Sequence, residues 1–288
     1  MILVTGATGH LGAATLHFLL EKRPASSLAA FVRNADKADG LAQKGISIRV
    51  GTYDDTSSLD RAMTGIDTVL LIAGTDEENR LRQHQNVVDS AKRAGVQRIA
   101  YTSRALKDRT TLVNKLMNGH FQTEDYIRAS GMAYTLFQNG LYMDVLPQFV
   151  GPTVFERGIS VPAGDGTVSF ALRTDMAAAM ANALAAAGNT PTNEVYKLTG
   201  SESYSFADVA EALTTLSGKQ VSYTPAEKSA FEAGMRARGL PDVVVQRVTG
   251  FITDIKNGQE ADVSHDLEIL LGRKPTPLLA GLKTLFAL

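Results

Sequence analysis

Cysteine is absent from the 288 residues, which removes disulfides, thiolate metal sites and thiol nucleophiles from consideration together. The absence agrees with a reducing compartment. An excess of charge is absent too: 29 basic residues against 30 acidic ones leave a net charge of −1, so no global field draws the chain to nucleic acid or anionic lipid. Long apolar runs are missing as well. The longest, such as Met176 to Ala187, are alanine-rich and shorter than the roughly 20 residues a spanning helix needs. Met1 runs straight into an apolar segment, with no targeting-type stretch before it. His10, His17, His84, His120 and His265 show no metal-ligand spacing. These absences lead us to expect a cytoplasmic protein with no metal and no nucleic-acid or membrane partner. With 44% hydrophobic and 20% charged residues, it has the composition of an ordinary globular protein with a sizeable core.

What is present starts at the N-terminus, where Ile2-Leu3-Val4-Thr5 runs into Gly6-Ala7-Thr8-Gly9-His10-Leu11-Gly12 and then into an apolar-periodic segment over residues 11–22. Strand, glycine turn, helix is the order that binds a dinucleotide. Gly6 makes the turn, Gly9 lets backbone N–H groups approach a pyrophosphate, and Gly12 lets the helix pack on the strand. Gly6, Thr8, Gly9, His10, Leu11 and Gly12 are therefore the expected phosphate-side set. Arg33 follows the buried-strand pattern Leu28-Ala29-Ala30-Phe31-Val32 at the position where an acidic residue would hold a ribose 2′-OH. A guanidinium there suits a 2′-phosphate instead, with Lys37 one turn on, so the expected cofactor is NADPH. Asn34 reads as a cap.

Strand and helix patterns then keep alternating. Strands are predicted over 46–50, 68–72, 98–102 and 133–137, and helices from Thr56 or Ser57 to Thr64, over 77–94 and over 114–129. Uninterrupted βα units specify a doubly wound parallel α/β sheet with right-handed crossovers, a Rossmann fold. Its carboxyl edge collects Gly74, Thr102, Ser103 and Asn139. Beyond about residue 142 the pattern changes. A helix over 143–157, a strand over 167–172, an alanine-rich helix capped by Thr174 or Asp175, and a strand over 194–198 precede a capping box at Ser205-Phe206-Ala207-Asp208 and several further helices. The expected division is a dinucleotide-binding domain over 1–142 and a smaller, mostly helical substrate-binding part over 143–288, with some segments returning to the sheet.

The glycine loop, Val32-Arg33-Asn34, Tyr101-Thr102-Ser103, Ser130-Gly131 with Tyr134-Thr135, Asn139-Gly140-Leu141-Tyr142 and Ala163-Gly164-Asp165-Gly166 together resemble the NmrA-like branch of the atypical short-chain dehydrogenases, in particular its bacterial quinone oxidoreductases and triphenylmethane reductases. The resemblance runs nearly the whole length and implies a reductase. On that alignment the tyrosine and lysine of ordinary short-chain dehydrogenases fall on Leu116 and His120. Leucine donates no proton, so ordinary ketone chemistry is disfavoured, whereas a quinone or conjugated cation accepts hydride without so strong an acid. His120, with an ordinary histidine pKa near about 6.5, is expected to bond the nicotinamide ribose or relay a proton. Asn139, Gly140, Tyr142 and Met143 are expected beside the nicotinamide, with Tyr142 and Met143 either offering contacts to a flat acceptor or serving as core. Gln138 stands where relatives tend to carry arginine, and Thr52 where they tend to carry aspartate.

The expected partner is thus a small aromatic or quinone substrate, with a homodimer as a candidate assembly. The leading function is hydride transfer from NADPH to a quinone-like or other conjugated aromatic acceptor, which makes His120 and Tyr142 the candidate catalytic residues. Two alternatives stand beside it: an NADP-binding redox-sensing regulator of the NmrA type without turnover, and an enzyme resembling nucleotide-sugar epimerases.

Overall fold

The apolar runs Ile2–Val4 and Leu28–Val32 are buried along their whole length, as the inner strands of a parallel sheet covered by helices must be. They are β1 and β2 of a unit that comprises Met1–Arg104, Asn118–Asn139 and Thr174–Tyr196. A second unit comprises Ala105–Met117, Gly140–Arg173 and Lys197–Leu288, so the chain passes between the two several times. The computed structural model describes residues 1–188 and 192–288.

In the first unit β1 leads to α1 (His10–Leu20), and β2 to α2 (Asp39–Ala42), β3 (Ser47–Val50), α3 (Thr56–Ala62) and β4 (Thr68–Leu71). Then come α4 (Arg80–Arg93), β5 (Arg98–Arg104), α5 (Asn118–Ala129), β6 (Ala133–Asn139), α6 (Arg173–Ala186) and β7 (Glu194–Leu198). The seven strands order as β3-β2-β1-β4-β5-β6-β7. Leu3 of β1 lies opposite Ala29 on one side and Val69 on the other, both in parallel register. The direction of winding therefore reverses between β1 and β4, and in such sheets a ligand crosses the carboxyl ends of the strands at that reversal. The edge strand β3 is the least buried of the early strands, which explains its alternating sequence.

Leu3, Phe31, Leu59, Val69, Val87, Ile99 and Leu136 belong to one continuous core. Helix α4 packs on it through Val87, Val88 and Ala91, but the same buried stripe begins with the polar residues Arg80, Gln83 and His84. The cap of α3 is Asp55 rather than Thr56 or Ser57: its carboxylate accepts the Ser58 N–H at 3.2 Å. The helix expected over 77–94 starts only at Arg80, because Asp76 accepts the Asn79 N–H and turns the chain first.

The second unit has its own core, with Leu146, Phe170, Phe206, Ile252 and Leu282 among its members. Ser205 and Asp208 form the expected capping box at the start of helix Phe206–Ser217. Two expectations need correction here. The helix predicted over 143–157 is broken into a 3-10 turn and the short helices Leu146–Val150 and Val154–Arg157, because Gly151 takes a φ of 82° and Pro152 cannot continue the first. The strand predicted over 167–172 is confined to Thr167–Val168, paired antiparallel with Tyr204–Ser205. The segment 105–117 is also bound within this unit. Asp254 accepts the N–H groups of Val113 and Asn114 at 2.7 and 2.9 Å, so Asn114 lies in a capped turn and α5 begins only at Asn118.

Candidate functional site

Gly6 has a φ of +58°, the left-handed conformation that turns β1 back toward α1. Its carbonyl accepts the Gly9 N–H at 2.9 Å. A Cβ on Gly12 would stand 2.4 Å from that same carbonyl oxygen and 3.0 Å from the Ala7 Cα, so the close packing of helix on turn requires glycine there. A Cβ on Gly9 would stand 3.2 Å from the Gly6 oxygen. Gly9 is the N-cap of α1 and supplies no side-chain cap, and the first turn holds no acidic residue. The leading N–H groups of α1 are therefore offered to a ligand, with the positive end of the helix dipole behind them. Thr8, Gly9 and His10 are exposed around this turn, whereas Leu11 is buried and lends only its backbone. An anionic diphosphate fits this cradle.

Arg33 lies just past the carboxyl end of β2, exposed, and no ion pair among the described residues engages it. Lys37 is exposed in the following turn, which Asn34 closes by accepting the Asp36 N–H at 2.9 Å. Two exposed cations on this short turn suit a phosphate monoester, although Asp36 stands between them in the sequence.

Along the same edge, rings from distant parts of the sequence form a continuous row. Phe31 stacks on Tyr53 at 6.2 Å, Tyr53 meets His84 edge-on at 6.2 Å, His84 meets Tyr101 at 5.3 Å, and Tyr101 lies 6.3 Å from His120. Apart from Phe31 the rings are polar, and all but the half-buried Tyr53 are buried. Gly74 donates its N–H to His84 Nε2 at 3.0 Å, and His84 Nδ1 lies 2.9 Å from Thr123 Oγ1. Burial, reinforced by the Arg80 guanidinium, pushes the His84 pKa down to about 3, so His84 is a neutral ring that accepts on Nε2.

His120 occupies the far end, with Nδ1 3.0 Å from the Tyr101 hydroxyl. The expectation of an ordinary histidine pKa is corrected here: burial foremost, then the charges of Arg80 and Arg104, hold it well below the usual range, against the pull of the Thr102 carbonyl. A neutral His120 cannot serve as an imidazolium acid near neutral pH. Burial pushes the Tyr101 phenol well above its ordinary range, so it too stays protonated.

Thr102 uses its hydroxyl oxygen to accept the Ala73 N–H at 2.9 Å, which makes it a scaffold of the edge. Ser103 and Asn139 are buried at the adjacent carboxyl ends of β5 and β6. The Ser103 hydroxyl is buried with no hydrogen-bond partner among the described residues, as a group reserved for a ligand would be. Gln138, where an arginine was the family expectation, donates to both Glu124 oxygens at 3.1 and 3.2 Å. Burial of Glu124 beside Arg128 is thereby completed without a further cation.

Tyr142 belongs to the second unit, where the Arg173 guanidinium lies 4.7 Å over its ring and is itself held by Asp144 at 3.3 Å. Met143, expected at the nicotinamide, is fully buried in that unit's core, packed so closely on Gly281 that a Cβ there would stand 2.2 Å from its sulfur. It is a packing residue. Sequence reasoning missed Tyr53, Arg80, His84 and Tyr101. The available signal was Arg80 and His84, four residues apart on the stripe that Val87, Val88 and Ala91 continue.

Comparison with known proteins adds to this geometry. Residues 1–277 match the model of the NmrA-like family. The chain is 37% identical to quinone oxidoreductase 2 of Escherichia coli over 287 residues, 99% of each sequence. Among solved structures, the NADPH complex of the Escherichia coli quinone oxidoreductase QOR2 superposes with a TM-score of 0.92 at 36% identity, covering 99% of this chain and 100% of that one. The NADP(H) complex of the Citrobacter sp. triphenylmethane reductase gives 0.91 at 33% identity, with the same coverage.

Proposed function

From a chain that belongs to the NmrA-like family, and whose glycine turn leaves the N-terminus of α1 uncapped beside an exposed Arg33, we propose an NADPH-dependent reductase of quinone-like or other conjugated aromatic acceptors. The observation that carries it is the cradle itself. Gly6, Gly9 and Gly12 bring backbone N–H groups to a pyrophosphate, and Arg33 with Lys37 meets the 2′-phosphate. Ser103 offers its buried hydroxyl further along the edge. NADPH, when bound, supplies the hydride.

The protein's part is to bind, orient and shield. Leu116 supplies no acid where ordinary short-chain dehydrogenases have one, so the favoured acceptors are those that spread the arriving electron pair over a conjugated system. A quinone takes up hydride and one proton to give the hydroquinone while NADPH becomes NADP⁺. His120 is neutral, so that proton comes from solvent, and His120 with Tyr101 fixes the floor of the site through their shared hydrogen bond. Tyr142, backed by Arg173, is the aromatic surface we assign to a flat acceptor. Calorimetry of NADPH and NADH binding, followed by NADPH oxidation against quinones, cationic dyes and enals, tests the proposal. Preferential NADPH binding and acceptor-dependent oxidation are expected. Binding without oxidation by any acceptor would favour a sensor of cofactor ratio.

A further inference from the structure

The three residues that leave β4 at the sheet's reversal are held in an unusual way. The Ile72 N–H donates to Thr5 Oγ1 at 2.9 Å, and the Ile72 carbonyl accepts from the Tyr53 hydroxyl at 3.0 Å. The Ala73 N–H donates to Thr102 Oγ1 at 2.9 Å. The Gly74 N–H donates to His84 Nε2 at 3.0 Å, while the Gly74 carbonyl accepts from Arg80 Nε at 3.2 Å. Side chains from the residue that follows β1, from the turn after β3, from β5 and from α4 thus take the place that neighbouring strands or water fill in an ordinary loop. The two ends of Gly74 are gripped by one helix, through residues a turn apart on the same face.

We propose that His84 and Arg80 are positioning residues that hold Gly74 in a fixed orientation as a wall of the cofactor crevice. Neither needs to touch the cofactor to do so. The inference rests on the NADPH reading and on the rule that the crevice opens where the strand order reverses, here between β1 and β4. His84 suits the task because its tautomer is determined: the Thr123 hydroxyl donates to the Gly119 carbonyl at 2.7 Å, so its lone pair takes the His84 Nδ1 proton and Nε2 is left to accept. The charge on Arg80 reinforces that arrangement by opposing protonation of the ring. A neutral acceptor and a permanent donor, buried side by side, clamp an N–H and a C=O with no proton to gain or lose near neutral pH.

The experiment compares His84→Leu with His84→Gln in the full chain. Hydrogen exchange at the Gly74 amide reports the clamp, calorimetry reports NADPH binding, and steady-state kinetics separate the KM for NADPH from that for a quinone. In wild type the Gly74 amide should be protected. In His84→Leu its exchange should accelerate, and NADPH affinity should fall by about tenfold, the loss of roughly one good hydrogen bond, while the quinone KM stays put. In His84→Gln the side-chain carbonyl can take the Gly74 N–H, and both protection and affinity should recover. A folded His84→Leu protein that exposes Gly74 yet binds NADPH within about twofold of wild type overturns the inference and leaves the NADPH reading standing. Wild type that fails to bind NADPH overturns both. Should His84→Leu not fold, His84→Asn, too short to reach Gly74, replaces it: Asn should weaken NADPH binding where Gln does not, and equal affinities would overturn the inference.

Discussion

The glycine turn and the buried ring row border the same sheet edge but are built from opposite materials. The turn is local and backbone-made: Gly6, Gly9 and Gly12 lie within seven consecutive residues, and exposed N–H groups do its work. The row is distributed and side-chain-made, drawing Phe31, the half-buried Tyr53, His84, Tyr101 and His120 from well-separated parts of the chain into one line. The turn should therefore fail through binding while the fold survives, and the row should fail through stability and loop order.

Gly9→Val is the sharpest way to break the first half of that contrast. A branched side chain fills the space a pyrophosphate would occupy, and its Cβ meets the Gly6 oxygen at 3.2 Å, tight but tolerable. NADPH binding should vanish by calorimetry with the circular dichroism unchanged. A variant that unfolds instead would mean the turn is as structural as the row.

The row's signature is acid sensitivity. His84 titrates at about 3 when folded and His120 well below its ordinary value, whereas both unfolded rings titrate near about 6.5. The unfolded chain binds more protons as pH falls below that value, so these two groups stabilise fully above it and lose their contribution on acidification, at up to about 2.7 kcal/mol per pH unit. Urea unfolding at about pH 7, 6 and 5 reads this slope, which His84→Gln should roughly halve. An unchanged slope in that variant would remove His84 from the explanation.

Smaller effects sharpen the comparison from the ligand's side. Arg33→Ala should weaken NADPH by about 10- to 100-fold, as loss of a charge-assisted bond does, and leave NADH nearly unaffected. Equal losses for both cofactors would place the guanidinium elsewhere. His120→Ala should slow quinone and cationic-dye reduction alike, by about tenfold or less, because a neutral buried ring positions and does not protonate. A loss confined to quinones would restore a proton-relay role.

The same contrast explains what could be read from the sequence. The alternation from β1 to β6 and the Ser205–Asp208 capping box are periodic or local, and periodicity survives without tertiary information. The glycine turn is local too, and residues quoted from it carried the family resemblance. Over 143–157 apolar spacing suggested one helix, yet Gly151 and Pro152 outweigh it. For Met143 the sequence left ligand contact and core both open, because nothing in its neighbours reveals Gly281 against its sulfur. His120 was visible as a residue but not as a neutral one, since its pKa depends on burial and on Arg80 and Arg104 from other elements. Tyr53 and Tyr101 lie far apart in the sequence, and only the fold brings both against His84.

The most direct measurement is a single turnover: protein loaded with one equivalent of NADPH, mixed with a quinone without oxygen, and followed by the loss of nicotinamide absorbance. Loss in one step, faster than in the protein-free mixture and matched by hydroquinone formation, is the expected result. NADPH that stays bound and reduced before every quinone and dye tried would contradict a reductase.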